Sequence, residues 1–119
     1  MPDKVVLRYR DGRTERVALG PIDPSREVVD VVFESGEEAD VPFADLKAIF
    51  FPQAQPEAAV EPASGMHLAV EFSDGEVIRG FANYNPERNG FYLFPLDRSK
   101  NDRIFVVNSA IVSIEVDKL

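Results

Sequence analysis

The sequence predicts an all-β protein of two tandem, small, five-stranded antiparallel barrels joined by an Ala/Pro-rich linker. Three observations predict it. Apolar residues recur with a period of two, and no segment keeps a helical period. The stretch FSDGEVIRGF, Phe72 to Phe81, has a looser copy, YRDGRTERVAL, at Tyr9 to Leu19. A Pro- and Ala-rich segment, PQAQPEAAVEPASGM, lies between the two. The chain accordingly divides into a first barrel at 1–51, a linker at 52–66 and a second barrel at 67–119. As a flexible coil such a linker would span on the order of 20 Å.

Each strand follows from its pattern. Val5, Leu7 and Tyr9 alternate with Lys4, Val6, Arg8 and Arg10, and Leu68, Val70 and Phe72 alternate with Ala69, Glu71 and Ser73. Each is a strand with one buried face. The return strand then selects the turn. A two-residue Asp-Gly turn would bury Thr14 and Arg16. A three-residue loop ending at Gly12 or Gly75 instead buries Val17 and Leu19, and Ile78 in the second copy. That loop needs a left-handed third residue, which glycine supplies without steric cost. Third strands follow at Glu27–Phe33 and Phe91–Phe94, and fourth strands at Ala39–Phe43 and Arg103–Val107. The kinks ADL (44–46) and NSA (108–110) lead into fifth strands at 47–51 and 112–116. Superposed with a two-residue gap, Val41 and Phe43 fall on Phe105 and Val107.

The order of these elements resembles the Sm-like fold, a small SH3-like barrel. LAVEFSDGEVIRGF is similar to the first Sm motif, with Gly80 where the second strand must bend. RIFVVNSAIVSIEV is similar to the second. The set LKAIFF, FSDGEVIRGF, NPERNGFYLFPLD and RIFVV also resembles an uncharacterised bacterial family that accompanies signalling and motility-related proteins. Sm-type RNA binding relies on an Asn at the end of the first motif and an Arg-Gly pair in the second. The segment around Asn108-Ser109-Ala110 has no Arg-Gly, and the bacterial Lys-His signature is missing. The resemblance therefore implies the fold and not the RNA site.

Composition narrows the function. Thirteen basic against 21 acidic residues give a net charge of −8, a poor start for binding phosphates. The cluster Arg8, Arg10, Arg13 and Arg16 is a possible basic patch, read otherwise as a solvated hairpin face. There is no cysteine, so no disulfide, Cys-based zinc site or thiol chemistry. The segment MPDKVVLRYR has no apolar core behind its basic residues, and no run reaches the roughly 20 apolar residues of a membrane span. A cytoplasmic location is expected, without membrane insertion.

No catalytic motif, cofactor or metal site is expected. His67, the single histidine, stands at a strand start without an Asp or Ser motif and is read as a partly exposed spacer. Glu37, Glu38 and Asp40 lack the loop pattern of a calcium site and read as a solvated turn. The aromatic residues are more informative. Phe91, Tyr92, Leu93 and Phe94 put bulky groups on both faces of one strand, and Ile49, Phe50 and Phe51 do the same. The second face either packs between the two halves or forms an exposed patch that recruits another protein. The turn-rich loop NYNPERNGF offers Tyr84, Arg88 and Asn89 as further contacts.

Pro42 cannot donate a ladder hydrogen bond, so the fourth strand of the first half should be an edge. Sm-like rings pair a fourth strand with the fifth strand of a neighbour. The second half retains that capacity while the first resists it, which implies a monomer or small homo-oligomer. The resulting expectation is a non-catalytic protein-interaction module in bacterial signalling or regulation, with Tyr84, Phe91, Tyr92, Phe94 and Phe105 as partner contacts. The alternatives are an RNA binder using the arginine face and a receptor for a nucleotide messenger, although the paired arginines of PilZ domains are missing.

Overall fold

Among the described residues, ten strands and two single-turn 3₁₀ segments form where the period-two pattern and its kinks place them. The structure is a computed structural model that describes residues 3–19, 22, 25–52, 66–83, 89–95 and 101–116. The strands are β1 (Asp3–Tyr9), β2 (Thr14–Leu19), β3 (Val28–Phe33), β4 (Glu38–Pro42) and β5 (Leu46–Pro52), then β6 (Met66–Phe72), β7 (Val77–Ala82), β8 (Gly90–Pro95), β9 (Asn101–Val107) and β10 (Ile111–Val116). The 3₁₀ turns cover Phe43–Asp45 and Asn108–Ala110. Of the linker expected at 52–66, Pro52 ends β5 and Met66 opens β6, and 53–65 lies outside the described residues.

The hairpin loops have the three-residue form that side-chain parity required. Tyr9 N–H donates to Arg13 O at 2.8 Å, and Gly12 N–H donates to Tyr9 O at 3.1 Å. The second loop repeats this with Phe72, Glu76 and Gly75. Gly12 (φ 96°) and Gly75 (φ 92°) occupy the left-handed region. Register follows: Val17 pairs with Val5 and is buried with Leu19, while Ile78 pairs with Val70.

Every strand belongs to one antiparallel sheet, in the order β10-β6-β7-β8-β9-β5-β1-β2-β3-β4. This corrects the expectation of two separate barrels. The sheet continues from one half to the other because β9 pairs with β5, setting Ala48 opposite Val106, Ile49 opposite Phe105 and Phe50 opposite Ile104. Ile104 to Val107 are apolar on both faces and contain no proline, so that edge accepts a neighbour. The strand order is the same in both halves, fifth-first-second-third-fourth.

Two buried clusters lie on either side of this seam. The first joins residues of β1–β5 to Phe105 and Val107; the second joins residues of β6–β9 to Ala48. Alternation explains the exchange, since successive residues of β9 point to opposite faces. Phe105 and Val107 fill the first cluster while Ile104 and Val106 fill the second. A fully buried Phe contributes about 3 kcal/mol relative to an exposed one. Phe105 therefore stabilises the half to which its own strand does not belong.

Two details shift the sequence-based picture. The 3₁₀ turns set Val41 level with Val106, one residue away from the superposition on Phe105. Val41 and Val106 each face the cluster of their own half, whereas Phe105 faces the other. In β5, Leu46 pairs with Tyr9 and Ala48 with Arg8, leaving Lys47 as the extra residue of a β-bulge. Val112 occupies the matching position in β10, between Ile111 opposite Phe72 and Ser113 opposite Glu71. A bulge re-aims the side chain it carries. Lys47 is turned onto the loop of the other half.

Candidate functional site

The hairpin β3–β4 turns through Glu34-Ser35-Gly36, a third loop of the same form closed by Phe33 N–H to Glu37 O at 2.8 Å. Counting back from that closure, Val32 pairs with Glu38 and Asp30 with Asp40. Ala18 on β2 pairs with Val32. These side chains share the outer face and line an open groove of about 470 Å³ at the sheet edge. Its floor is short and apolar at Ala18 and Val32; its rim carries the carboxylates of Asp30, Glu38 and Asp40.

The electrostatics of the groove are asymmetric. Asp30 and Asp40 share a side-chain hydrogen bond, which holds the Asp40 carboxyl above the usual carboxylate range. A like charge directly opposite adds to the rise. The Arg26 guanidinium, 3.0 Å from Asp30 Oδ2, holds Asp30 below that range, helped by the bond to Asp40. A cation entering the groove would favour the charged form of Asp40. The outer face of the hairpin offers a long basic side chain an apolar bed for its stem and carboxylates for its head.

The sequence-predicted contact residues lie elsewhere. Phe105 has no exposed surface, and Phe91 and Phe94 are buried. Tyr92 is half-buried, edge-on to Phe105 at 5.2 Å and 5.9 Å from Phe51. Phe43 stands 5.6 Å from Phe105, and the Arg103 guanidinium lies 4.2 Å above Phe51. Of the two alternatives for the surplus aromatics, packing between the halves accounts for Tyr92, Phe51 and Phe105. Tyr84 and Arg88 lie outside the described residues.

The four arginines do not share one free surface. Arg8 pairs with Glu76 at 3.1 Å and covers Phe50 at 4.6 Å. Arg13 pairs with Asp11 at 2.8 Å and stacks on Tyr9. Arg10 is exposed at the hairpin loop, its amide donating to Asp45 O, and Arg16 is exposed opposite Val6. His67 is half-buried and edge-on to Phe81 at 5.3 Å, its Nδ1 unpaired among the described residues. No group of three or more potential metal ligands occurs among the described residues.

Sequence reasoning missed two features. The Asp30–Asp40 pair follows from applying the three-residue loop to FESGE, the same rule already used at the two Asp-Gly turns. Lys47, buried against Asp74 and Glu76, had no such signal, because a bulge is invisible in an apolar alternation.

Fold and surface together define an all-β protein whose single antiparallel sheet serves two interiors. No helix among the described residues is long and apolar enough to cross a membrane. The chain belongs to the family of unknown function DUF6982, which matches residues 1–117 and so spans both halves and the segment between them. No curated protein and no solved structure matches the chain.

Proposed function

We propose that this is a non-catalytic protein-interaction module of the bacterial cytoplasm, built from a duplicated Sm-like unit and acting in signalling or regulation. The duplication is supported by the common strand order of the two halves, by their matching Asp-Gly loops and bulges, and by a separate buried cluster in each. The recruiting surface is the acidic groove of β2–β4, and its partner is a segment bearing Lys or Arg. One observation carries the assignment: Asp30, Glu38 and Asp40 converge on an open groove with an apolar floor, in a chain of net charge −8.

A lysine- and arginine-bearing peptide titrated into the protein should shift the amide resonances of residues 28–42. Its affinity should fall with added salt and drop about tenfold in Asp30→Asn/Asp40→Asn. Shifts confined to the aromatic seam, or affinity unchanged in the double variant, would remove the groove from consideration. RNA binding is disfavoured by the carboxylates that already hold Arg8 and Arg13. Absence of binding to single-stranded RNA at low salt closes that alternative.

A further inference from the structure

We propose that the partner of the acidic groove docks as an added strand, antiparallel to β4, with Arg or Lys at alternate positions. This rests on the groove reading above and adds how the partner is held. The first observation is the direction of the backbone. β4 ends the sheet order, with β3 on one side and, among the described residues, no strand on the other. Phe33 N–H donates to Glu37 O and Phe43 N–H donates to Glu27 O, which fixes the alternation between them. Ala39 and Val41 therefore turn their backbone groups toward β3, and Glu38, Asp40 and Pro42 turn theirs outward. An edge of this kind is a template for one more strand.

The second observation is that the outward backbone and the groove carboxylates belong to the same residues. Glu38 and Asp40 line the groove with their side chains and turn their N–H and C=O to the open edge. A residue paired with Asp40 would exchange both backbone hydrogen bonds with it and stand beside it on the outer face. A basic side chain there meets the Asp40 carboxylate, and its stem lies toward Val32 and Ala18. A second basic residue, two positions along, meets Glu38.

The intervening positions face the other way. A residue between the two cations pairs with Ala39 and points to the inner face, where Ala39 packs on the first cluster and Val41 is buried in it. Apolar side chains suit those places. The edge thus specifies an alternation of apolar, basic, apolar and basic residues facing Val41, Asp40, Ala39 and Glu38 in that order.

A second copy of the chain does not meet this description. β4 against β4 would set carboxylates opposite carboxylates. The other end of the sheet order, β10, carries Glu115 as its one charged residue. Pro42, with no donor, ends the ladder on one side, and the Glu34-Ser35-Gly36 loop ends it on the other. The strand that fits is short and basic, and it comes from a different protein.

The capped peptide Thr-Val-Arg-Val-Lys-Thr, laid antiparallel to β4, sets its Arg opposite Asp40 and its Lys opposite Glu38. On binding the full chain it should slow solvent exchange at the Glu38 and Asp40 amides and leave Ala39 and Val41, already turned to β3, unchanged. N-methylation of the peptide's Arg nitrogen removes the donor aimed at Asp40 O and should weaken binding about tenfold. N-methylation of the following Val nitrogen, which points to water, should leave affinity in place. The isomer Thr-Val-Val-Arg-Lys-Thr should also bind more weakly, since one of its cations falls on the inner face. Equal affinity of the two methylated peptides, or binding without slower exchange at Glu38 and Asp40, would overturn strand addition. The groove reading would then still stand on its salt dependence and on the loss in Asp30→Asn/Asp40→Asn. No binding of the parent peptide at low salt would remove both.

Discussion

Lys47 Nζ lies 2.7 Å from Asp74 Oδ2, joining the bulge of β5 to the β6–β7 loop of the other half. Glu76 binds the same ammonium and also takes Arg8 at 3.1 Å. The Lys47 side chain is only 5% exposed and sits 4.8 Å from the Phe72 ring, while Asp74 and Glu76 keep 49% and 41% of theirs. Water reaches the carboxylates but not the ammonium. Removing the carboxylates should therefore cost more than removing the lysine, since an orphaned buried charge is penalised most. Asp74→Asn/Glu76→Gln should lower stability more than Lys47→Met does. Lys47→Met, which keeps the stem and frees two hydrated carboxylates, should lose under about 1.5 kcal/mol. Urea unfolding midpoints decide the order, and the reverse order would mean that the ammonium finds water.

The same contact sets a pH dependence. The Lys47 ammonium, followed by the Glu76 amide, holds the Asp74 carboxyl below the usual carboxylate range. A lowered folded value means that the unfolded chain binds the proton more readily. Its stabilisation is then present above about pH 4, the unfolded carboxylate value, and is lost as pH falls through the lowered folded one. Asp11, held low by the Arg13 amide, and Asp30, held low by Arg26, act in the same sense. Asp40 acts oppositely: its raised value favours the fold in acid and loses that contribution as pH rises through it. Unfolding midpoints measured from neutral to about pH 2 should fall, and fall less steeply in Lys47→Met.

Much of the fold was legible because parity is unforgiving. A two-residue loop would have buried Thr14 and Arg16, and only the three-residue form returned Val17 and Leu19 to the core. The seam was not legible. Apolar residues on both faces of Phe91–Phe94 and Ile104–Val107 demand two buried surroundings, but sequence alone does not say whether the second is the sister half or another protein. The same ambiguity moved the expected contacts onto Phe91, Phe94 and Phe105, which the chain buries itself. The acidic groove was half legible: Asp40 stood out in a charge run, while Asp30 sat unremarked within an apolar strand.

Phe105 gives a direct test of the exchange between halves. Its ring packs on Phe43 and Tyr92 within the first cluster, although β9 belongs with β6–β8 in sequence. Phe105→Ala should cost about 3–5 kcal/mol by cavity formation. Amide exchange should then quicken more in β1–β3 than in β6–β7. Val106, one residue along, faces the second cluster, so Val106→Ala should reverse the pattern. Equal acceleration in both halves for both variants would contradict the alternation at the seam.

Gly80 should prove harder to replace than the turn glycines. It pairs with Pro95 where β7 meets β8, and a Cβ there would run into the Phe94 carbonyl oxygen and stand 2.6 Å from a Leu93 methyl. A side chain could swing aside, but the carbonyl belongs to the sheet backbone and can move only if the strand moves. Gly75, by contrast, has open space around it and only its left-handed φ of 92° to defend. An L-residue in that region costs about 1–2 kcal/mol. Gly80→Ala should cost about 3 kcal/mol, as overpacking against fixed backbone does. Denaturant midpoints for the two variants, compared at a common m-value, test the order. A Gly80→Ala protein as stable as Gly75→Ala would mean that β7 and β8 can separate without loss.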